Sequence, residues 1–163
     1  MALTVTRKRA EIDLILDQDT AERIGELGER LAAAERAHHT EGANQSARTI
    51  AARIERLRED AADAIIHITL QALPLSQWRQ ILEANTRIDG KRPVQRVEDI
   101  CADAVRAMTV ATEPETSPDD IADAMRELSD GQITPIWTAI RDLNTKVADP
   151  KAVLRSASAI ARA

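Results

Sequence analysis

The sequence contains no phenylalanine and no tyrosine, and its only aromatic residues are Trp78 and Trp137. A hydrophobic fraction of 44% must therefore be built from Leu, Ile, Val, Met and Ala, which pack well between helices. Binding of single-stranded nucleic acid relies on aromatic stacking platforms, which this chain does not offer. The net charge of −5 also disfavours duplex binding, because neutralisation of phosphates needs a basic surface. We expect no nucleic acid among the partners.

Cysteine and long apolar runs are equally scarce. Cys101 is the only cysteine, so no intramolecular disulfide is possible and a reducing compartment is expected. No stretch approaches the roughly 20 apolar residues that cross a bilayer. The basic residues 7–9 are followed by Ala10-Glu11-Ile12 instead of an apolar run, so no signal peptide is expected. These features predict an intracellular protein with no membrane partner.

Side chains suited to catalysis or cofactor binding are sparse. The His38–His39 pair falls in a predicted loop without cysteine or carboxylate ligands at the spacing of a zinc site. His67 falls on the polar side of a predicted strand, and Cys101 falls in the apolar stripe of a predicted helix, as a buried hydrophobe does. The five glycines are scattered and form no phosphate-binding loop. We expect no enzyme, no metal site and no cofactor.

An N-terminal module of strand, helical hairpin and strand is predicted for residues 1–73. Residues 11–17 and 64–73 alternate between apolar and polar side chains, which is typical of strands that pair with each other. Between them, one helix is expected to be capped by Asp19 or Thr20, and a second is expected over 46–62. A polar loop joins the two, so an antiparallel hairpin is predicted. Its apolar seam is the candidate surface for partner binding or self-association: Ile24, Leu27, Leu31, Ile50, Ile54 and Leu57.

A C-terminal helical domain is predicted for residues 74–163. Helices are expected after Ser76, from Val94 to Met108, after Ser117-Pro118, after Ser129 and from Pro150. Asp119 and Asp120 suit the first turn of a helix, where acids favour the macrodipole. Loops are expected over Asn85–Pro93 and Thr112–Pro118. The predicted fold is mainly α with a small β element, in which a helical hairpin bracketed by two short strands precedes a bundle of short helices.

Several short motifs occur in a characteristic order. A strand ends in an Ala-Leu-Pro step at Leu73-Pro74, and a helix bearing Trp78 follows directly. A Leu-Ser-Asp-Gly-Gln box at residues 128–132 then opens a helix that carries Trp137 and ends near Asn144. This order resembles the tail assembly chaperones of siphophages that infect actinobacteria, over most of the chain. The residues that carry the resemblance, expected to be structural, are Leu73, Pro74, Trp78, Leu128, Ser129, Asp130, Gly131, Gln132, Trp137 and Asn144.

The resemblance implies a non-catalytic protein of the infected host's cytoplasm. Such chaperones bind the tape measure protein, keep it soluble and help to recruit the tail tube protein. They are expected to be homo-oligomers. The chain departs from the family at Ala84-Asn85-Thr86, where relatives carry His-Pro-Pro or similar residues, and at Ile133, where they carry an aromatic residue.

Two other functions fit the sequence. A structural virion component, such as a minor tail or head–tail connector subunit, would remain in the mature phage. A small regulator or antitoxin-like binder would have one specific host protein as its partner. Neither requires a catalytic cluster.

Overall fold

The computed structural model describes residues 1–37, 41–146 and 150–162. The protein is mainly helical with short antiparallel strands, which confirms the predicted fold class. The helices are α1 (Gln18–Arg36), α2 (Glu41–Asp60), α3 (Leu75–Ala84), α4 (Val97–Met108), α5 (Pro118–Met125), α6 (Asp130–Thr145) and α7 (Pro150–Arg162). The strands are β1 (Arg9–Ile15), β2 (Ile65–Gln71), β3 (Thr86–Asp89), β4 (Arg92–Gln95) and β5 (Thr109–Glu113).

The central sheet has the strand order β1-β2-β5, with both pairs antiparallel. The predicted pairing of the two N-terminal strands is confirmed, with Ile12 opposite Ile68. The prediction that everything after Pro74 is helical or loop is wrong, because residues 109–113 form the third strand. This strand contains the β-branched residues Thr109, Val110 and Thr112 and follows a helix directly. Its conformation is decided by β2, whose paired residues lie 39 to 46 positions earlier.

The helical hairpin lies between β1 and β2, as predicted, but its first cap was assigned to the wrong residue. Asp17 caps α1: its carboxylate accepts a hydrogen bond from the Thr20 backbone N–H at 3.1 Å. Thr20 is buried and donates its hydroxyl to the same carboxylate, so it supports the cap instead of providing it. The second helix begins at Glu41, five residues before the predicted start. The His38–His39 pair lies outside the described residues.

Residues 85–93, predicted as a loop, contribute most of a second, two-stranded sheet. Strands β3 and β4 pair antiparallel across Gly90 and Lys91, with Asp89 opposite Arg92. Gly90 has a φ of 63°, a conformation that glycine adopts without strain, and glycine is favoured at the first position of a two-residue type II′ hairpin turn. Pro93 and the exposed Ile88 obscure the alternating pattern, which explains why the strands were not predicted.

The C-terminal helix starts agree only in part with the predictions. Ser117 caps α5 with Pro118 at its start, and Ser129 begins α6 with a capping box, as predicted. Ser76 does not cap α3, because that helix already begins at Leu75, after Pro74. Val94 belongs to β4, so α4 begins three residues later than expected.

One hydrophobic core joins the sheet to the C-terminal helices. Helix α4 is the most deeply buried element, with Ile100, Ala104 and Val105 completely inaccessible. It packs against β2, α3, α5 and α6. The buried residues of this cluster come from both sides of the predicted boundary between residues 73 and 74: Leu14, Ile68, Leu70, Trp78, Ile100, Cys101, Ala102, Ala104, Val105, Met108, Ile121, Ala122, Met125, Ile133, Ile136, Ile140 and Leu143.

Within the described residues, no helix combines the length and apolarity needed to cross a membrane.

Candidate partner-binding surface

The seam of the hairpin lies along the least exposed faces of α1 and α2, which pack against each other. Its six members are half-buried, except Ile50, which is 9% exposed. None of them belongs to the main hydrophobic core cluster. The seam therefore serves first to hold the two helices together, and only its open side is left for another molecule. The six residues are Ile24, Leu27, Leu31, Ile50, Ile54 and Leu57.

An ion pair fixes the base of the hairpin to the sheet. The Arg58 guanidinium, near the end of α2, contacts the Asp13 carboxylate of β1 at 2.7 Å. The His67 ring of β2 also contacts this carboxylate, through Nδ1. These three side chains border a polar groove of about 430 Å³ on the face of the sheet opposite the core. His67 is thus part of a surface network that positions the hairpin.

An apolar groove of about 270 Å³ separates the hairpin from α6. Ile15 and Ile24 line one wall, and Pro135 and Ile136 line the other. Gly25 and Gly131 lie at the same groove, and a Cβ at either position would meet no atom within 4 Å. The absence of side chains at these two positions therefore leaves the groove open. Ile24 is the seam residue that also faces this groove.

The motif residues of the central and C-terminal segments contact each other in pairs. Leu73 donates its backbone N–H to the Asn144 side-chain oxygen at 2.8 Å. The Asn144 amide nitrogen donates in turn to the Ile140 carbonyl at 2.9 Å. Asn144 therefore ties the segment after β2 to the last turn of α6, across 71 residues of sequence.

The two tryptophans form a second contact between these segments. The ring centroids of Trp78 and Trp137 lie 6.4 Å apart with the planes tilted by 30°. Trp78 is buried and Trp137 is half-buried against the same core. Both rings therefore anchor the hydrophobic core.

The Leu-Ser-Asp-Gly-Gln box connects α6 to the start of the hairpin. Ser129 donates its backbone N–H to the Gln132 side-chain oxygen at 3.0 Å, which completes the capping box. The Gln132 amide nitrogen then donates to the Ile15 carbonyl at 3.0 Å. One glutamine side chain thereby caps a helix and holds the end of β1, a role that the sequence spacing alone did not indicate.

The remaining motif residues have simpler positions. Pro74 immediately precedes α3, and Leu128 packs against the core. Asp130 is the first residue of α6, where its charge favours the helix dipole. Gly131 is exposed in the first turn.

Cys101 lies at the centre of the core and has no accessible surface. Burial raises the pKa of its thiol to about 12, and the nearby Glu98 charge contributes in the same direction. The thiolate form is disfavoured there, which suits a packing role.

Over the residues that the structure describes, no group of three or more His, Cys, Asp or Glu side chains is arranged to hold a metal ion.

Comparison with family models, curated proteins and solved structures found no match for this chain.

Proposed function

We propose that this chain is a bacteriophage tail assembly chaperone. In the proposed role it acts in the host cytoplasm, catalyses no reaction, binds the tape measure protein and promotes assembly of tail tube protein around it. The protein works as an oligomer. Its surface charge keeps the complex in solution, and its apolar surfaces bind the client.

The observation that carries the proposal is the pairing of the motif residues. Three pairs of the residues that carry the resemblance are in contact. They are Leu73 with Asn144, Trp78 with Trp137, and Ser129 with Gln132. Two of these pairs join segments that are distant in sequence, and all three belong to one folded unit. These contacts give a physical reason why the motif residues occur together in this order along the chain.

The apolar groove between α1 and α6 is the proposed site for the tape measure protein. Its apolar walls suit side chains from one face of a client helix, a common mode of helix recognition. Glu22, next to the groove residue Ala21 on α1, is exposed. An acidic side chain there favours a client helix with a basic residue beside its apolar face.

Co-expression with the tape measure protein tests the function. We expect the soluble fraction of the tape measure protein to rise severalfold when this chain is present, and the two to co-purify. A tape measure protein equally soluble with and without this chain would contradict the chaperone function.

Two glycine substitutions on the same helix test the site separately. Gly25→Gln places a side chain in the groove, whereas Gly28→Gln on the same helix does not, because Gly28 is not among the groove residues. Neither Cβ meets an atom within 4 Å, so both variants are expected to fold. We expect only Gly25→Gln to lower co-purification. Equal binding by both variants and the wild type would reject the groove and leave the function standing.

Mass spectrometry of purified virions separates the proposal from its main alternative. A transient chaperone is absent from the finished particle. Stoichiometric presence of this chain in virions would instead identify a structural tail or connector subunit.

A further inference from the structure

Residues 1–7 include the pattern of a strand but have no strand partner within the described residues. Leu3 and Val5 alternate with Ala2, Thr4 and Thr6, and three of these five residues are β-branched. Leu3 is 93% exposed and Val5 is 77% exposed. The segment lies just before β1, which begins at Arg9.

Strand β5 offers a free edge. Within the described residues it pairs with β2 on one side only, and a groove of about 400 Å³ runs along it. Thr109, Val110, Ala111 and Thr112 line the groove, and Pro118 lies at its far wall. Val110 is 45% exposed, so an apolar side chain of an added strand would find a partner there. The other outer strand, β1, is partly covered, because Gln132 of α6 donates to the carbonyls of Ile15 and Leu16.

The charges of the segment and of the edge are opposite. Arg7, Lys8 and Arg9 are exposed at one end of the segment. Glu113 and Glu115 are exposed where β5 ends. A segment running parallel to β5 places its basic end beside these acids, so electrostatics favours that direction.

The segment cannot reach this edge within its own chain. Lys8 is held beside β2, because its carbonyl accepts a hydrogen bond from the Ala72 N–H at 2.9 Å. A strand added at the free side of β5 would lie three strand spacings from β1, a distance of about 14 Å. If residues 2–6 paired there, the chain from Thr6 to Lys8 would span at most about 7 Å. The occupant must come from another molecule.

We propose that residues 2–6 of one copy add as a strand to the β5 edge of a second copy. Backbone hydrogen bonds provide affinity in this mode, and alternate side chains provide specificity. The two surfaces differ, so the contact is head-to-tail unless two copies exchange segments reciprocally. This self-association is distinct from the hairpin seam and does not depend on the chaperone function.

The first test compares two double variants of the full chain by analytical ultracentrifugation over a range of concentrations. Leu3→Ser/Val5→Ser removes the apolar face of the segment, and Thr4→Ser/Thr6→Ser changes the opposite face without altering charge. We expect the wild type and the threonine variant to self-associate. The apolar-face variant is expected to show a dissociation constant raised by roughly tenfold or more. A wild type that stays monomeric, or an apolar-face variant that associates like the wild type, would overturn the proposal.

The second test is disulfide trapping between different copies. Protein carrying Leu3→Cys or Val5→Cys is mixed with protein carrying Val110→Cys and oxidised; Cys101 does not interfere because it is buried. Neighbouring strands bring facing residues within disulfide range. We expect covalent dimers from at least one of these mixtures and far fewer with Thr4→Cys. If no covalent dimer forms, or if Thr4→Cys gives as much dimer as Leu3→Cys and Val5→Cys, the proposed strand addition would be contradicted.

Discussion

Individual polar side chains join segments that lie far apart in the sequence. Asn144 uses both ends of its amide, accepting from Leu73 and donating to Ile140. Asp99, 8% exposed, contacts Arg96 at 2.6 Å and Arg126 at 3.0 Å, which ties α4 to the end of α5. The hydrogen bond to Asp99 raises the pKa of Arg126 above its ordinary value. The partners of Asn144 and Asp99 on other elements come within hydrogen-bonding distance only when the chain folds.

We expect Asn144→Ala to lower the free energy of unfolding by about 1–3 kcal/mol, because the Leu73 N–H loses its partner in a half-buried position. Urea denaturation followed by circular dichroism measures this difference. Thr145→Ala, at the exposed neighbour on α6, is the control and should change stability by less than about 0.5 kcal/mol. Equal effects of the two substitutions would show that the Leu73–Asn144 bond is not stabilising.

At the scale of the elements, caps decide where the helices start. Asp17 caps α1 and Ser117 caps α5, each with its side chain accepting from a backbone N–H of the first turn, whereas Ser129 begins α6 by donating to the Gln132 side chain. The seam of the hairpin is mostly half-buried, so a cap that contributes about 1 kcal/mol is a larger part of the stability of α1 than of a helix in the core. The start of α1 is also the point where the hairpin leaves the sheet.

The Asp17 cap makes the hairpin sensitive to acid. Hydrogen bonds from the Thr20 hydroxyl and backbone N–H lower the pKa of Asp17 below its ordinary value of 3.8. A carboxylate with a lowered pKa stabilises the folded state fully above the ordinary value. That stabilisation is lost as the pH falls through the lower, folded-state pKa.

We therefore expect Asp17→Asn to have similar stability to the wild type at pH 7, since asparagine is an equally good cap. Between pH 4 and pH 2 the variant should lose less stability than the wild type, because its cap does not titrate. Urea denaturation of both proteins at each pH measures the difference. Parallel loss of stability in the two proteins would exclude the cap as a source of acid sensitivity.

At the scale of the whole molecule, a single core unites the sheet and the C-terminal helices. Leu14 of β1 and Ile68 of β2 are completely buried in the same cluster as Ile140 of α6. The hairpin extends from this body and is attached at its base by the Asp13–Arg58 ion pair. Unfolding of the body should therefore be one cooperative event, which Cys101 at its centre can report.

Cys101 should not react with a thiol-specific reagent at pH 8 while the protein is folded. Its surface is inaccessible, and burial raises its pKa to about 12, so the reactive thiolate is scarce. In urea the thiol should react fully, and the reactive fraction should follow the circular dichroism transition. Rapid labelling without denaturant would show that the core opens locally around α4.

Local chemistry in the sequence was sufficient for part of this description. The helices with strong periodicity, the paired strands β1 and β2, and the caps at Ser117 and Ser129 were predicted, because each is set by residues within a few positions of one another. Burial of Cys101 followed from the same periodicity. The seam of the hairpin was also identified, although its half-buried state was not.

Only the tertiary structure decided the features that depend on distant partners. Strand β5 exists because β2 lies beside it. Gln132 reaches Ile15 across 117 residues, and no local pattern encodes that bond. The groove at Gly25 and the free edge at β5 are likewise spaces between elements, so they arise only when packing has fixed the distances between them.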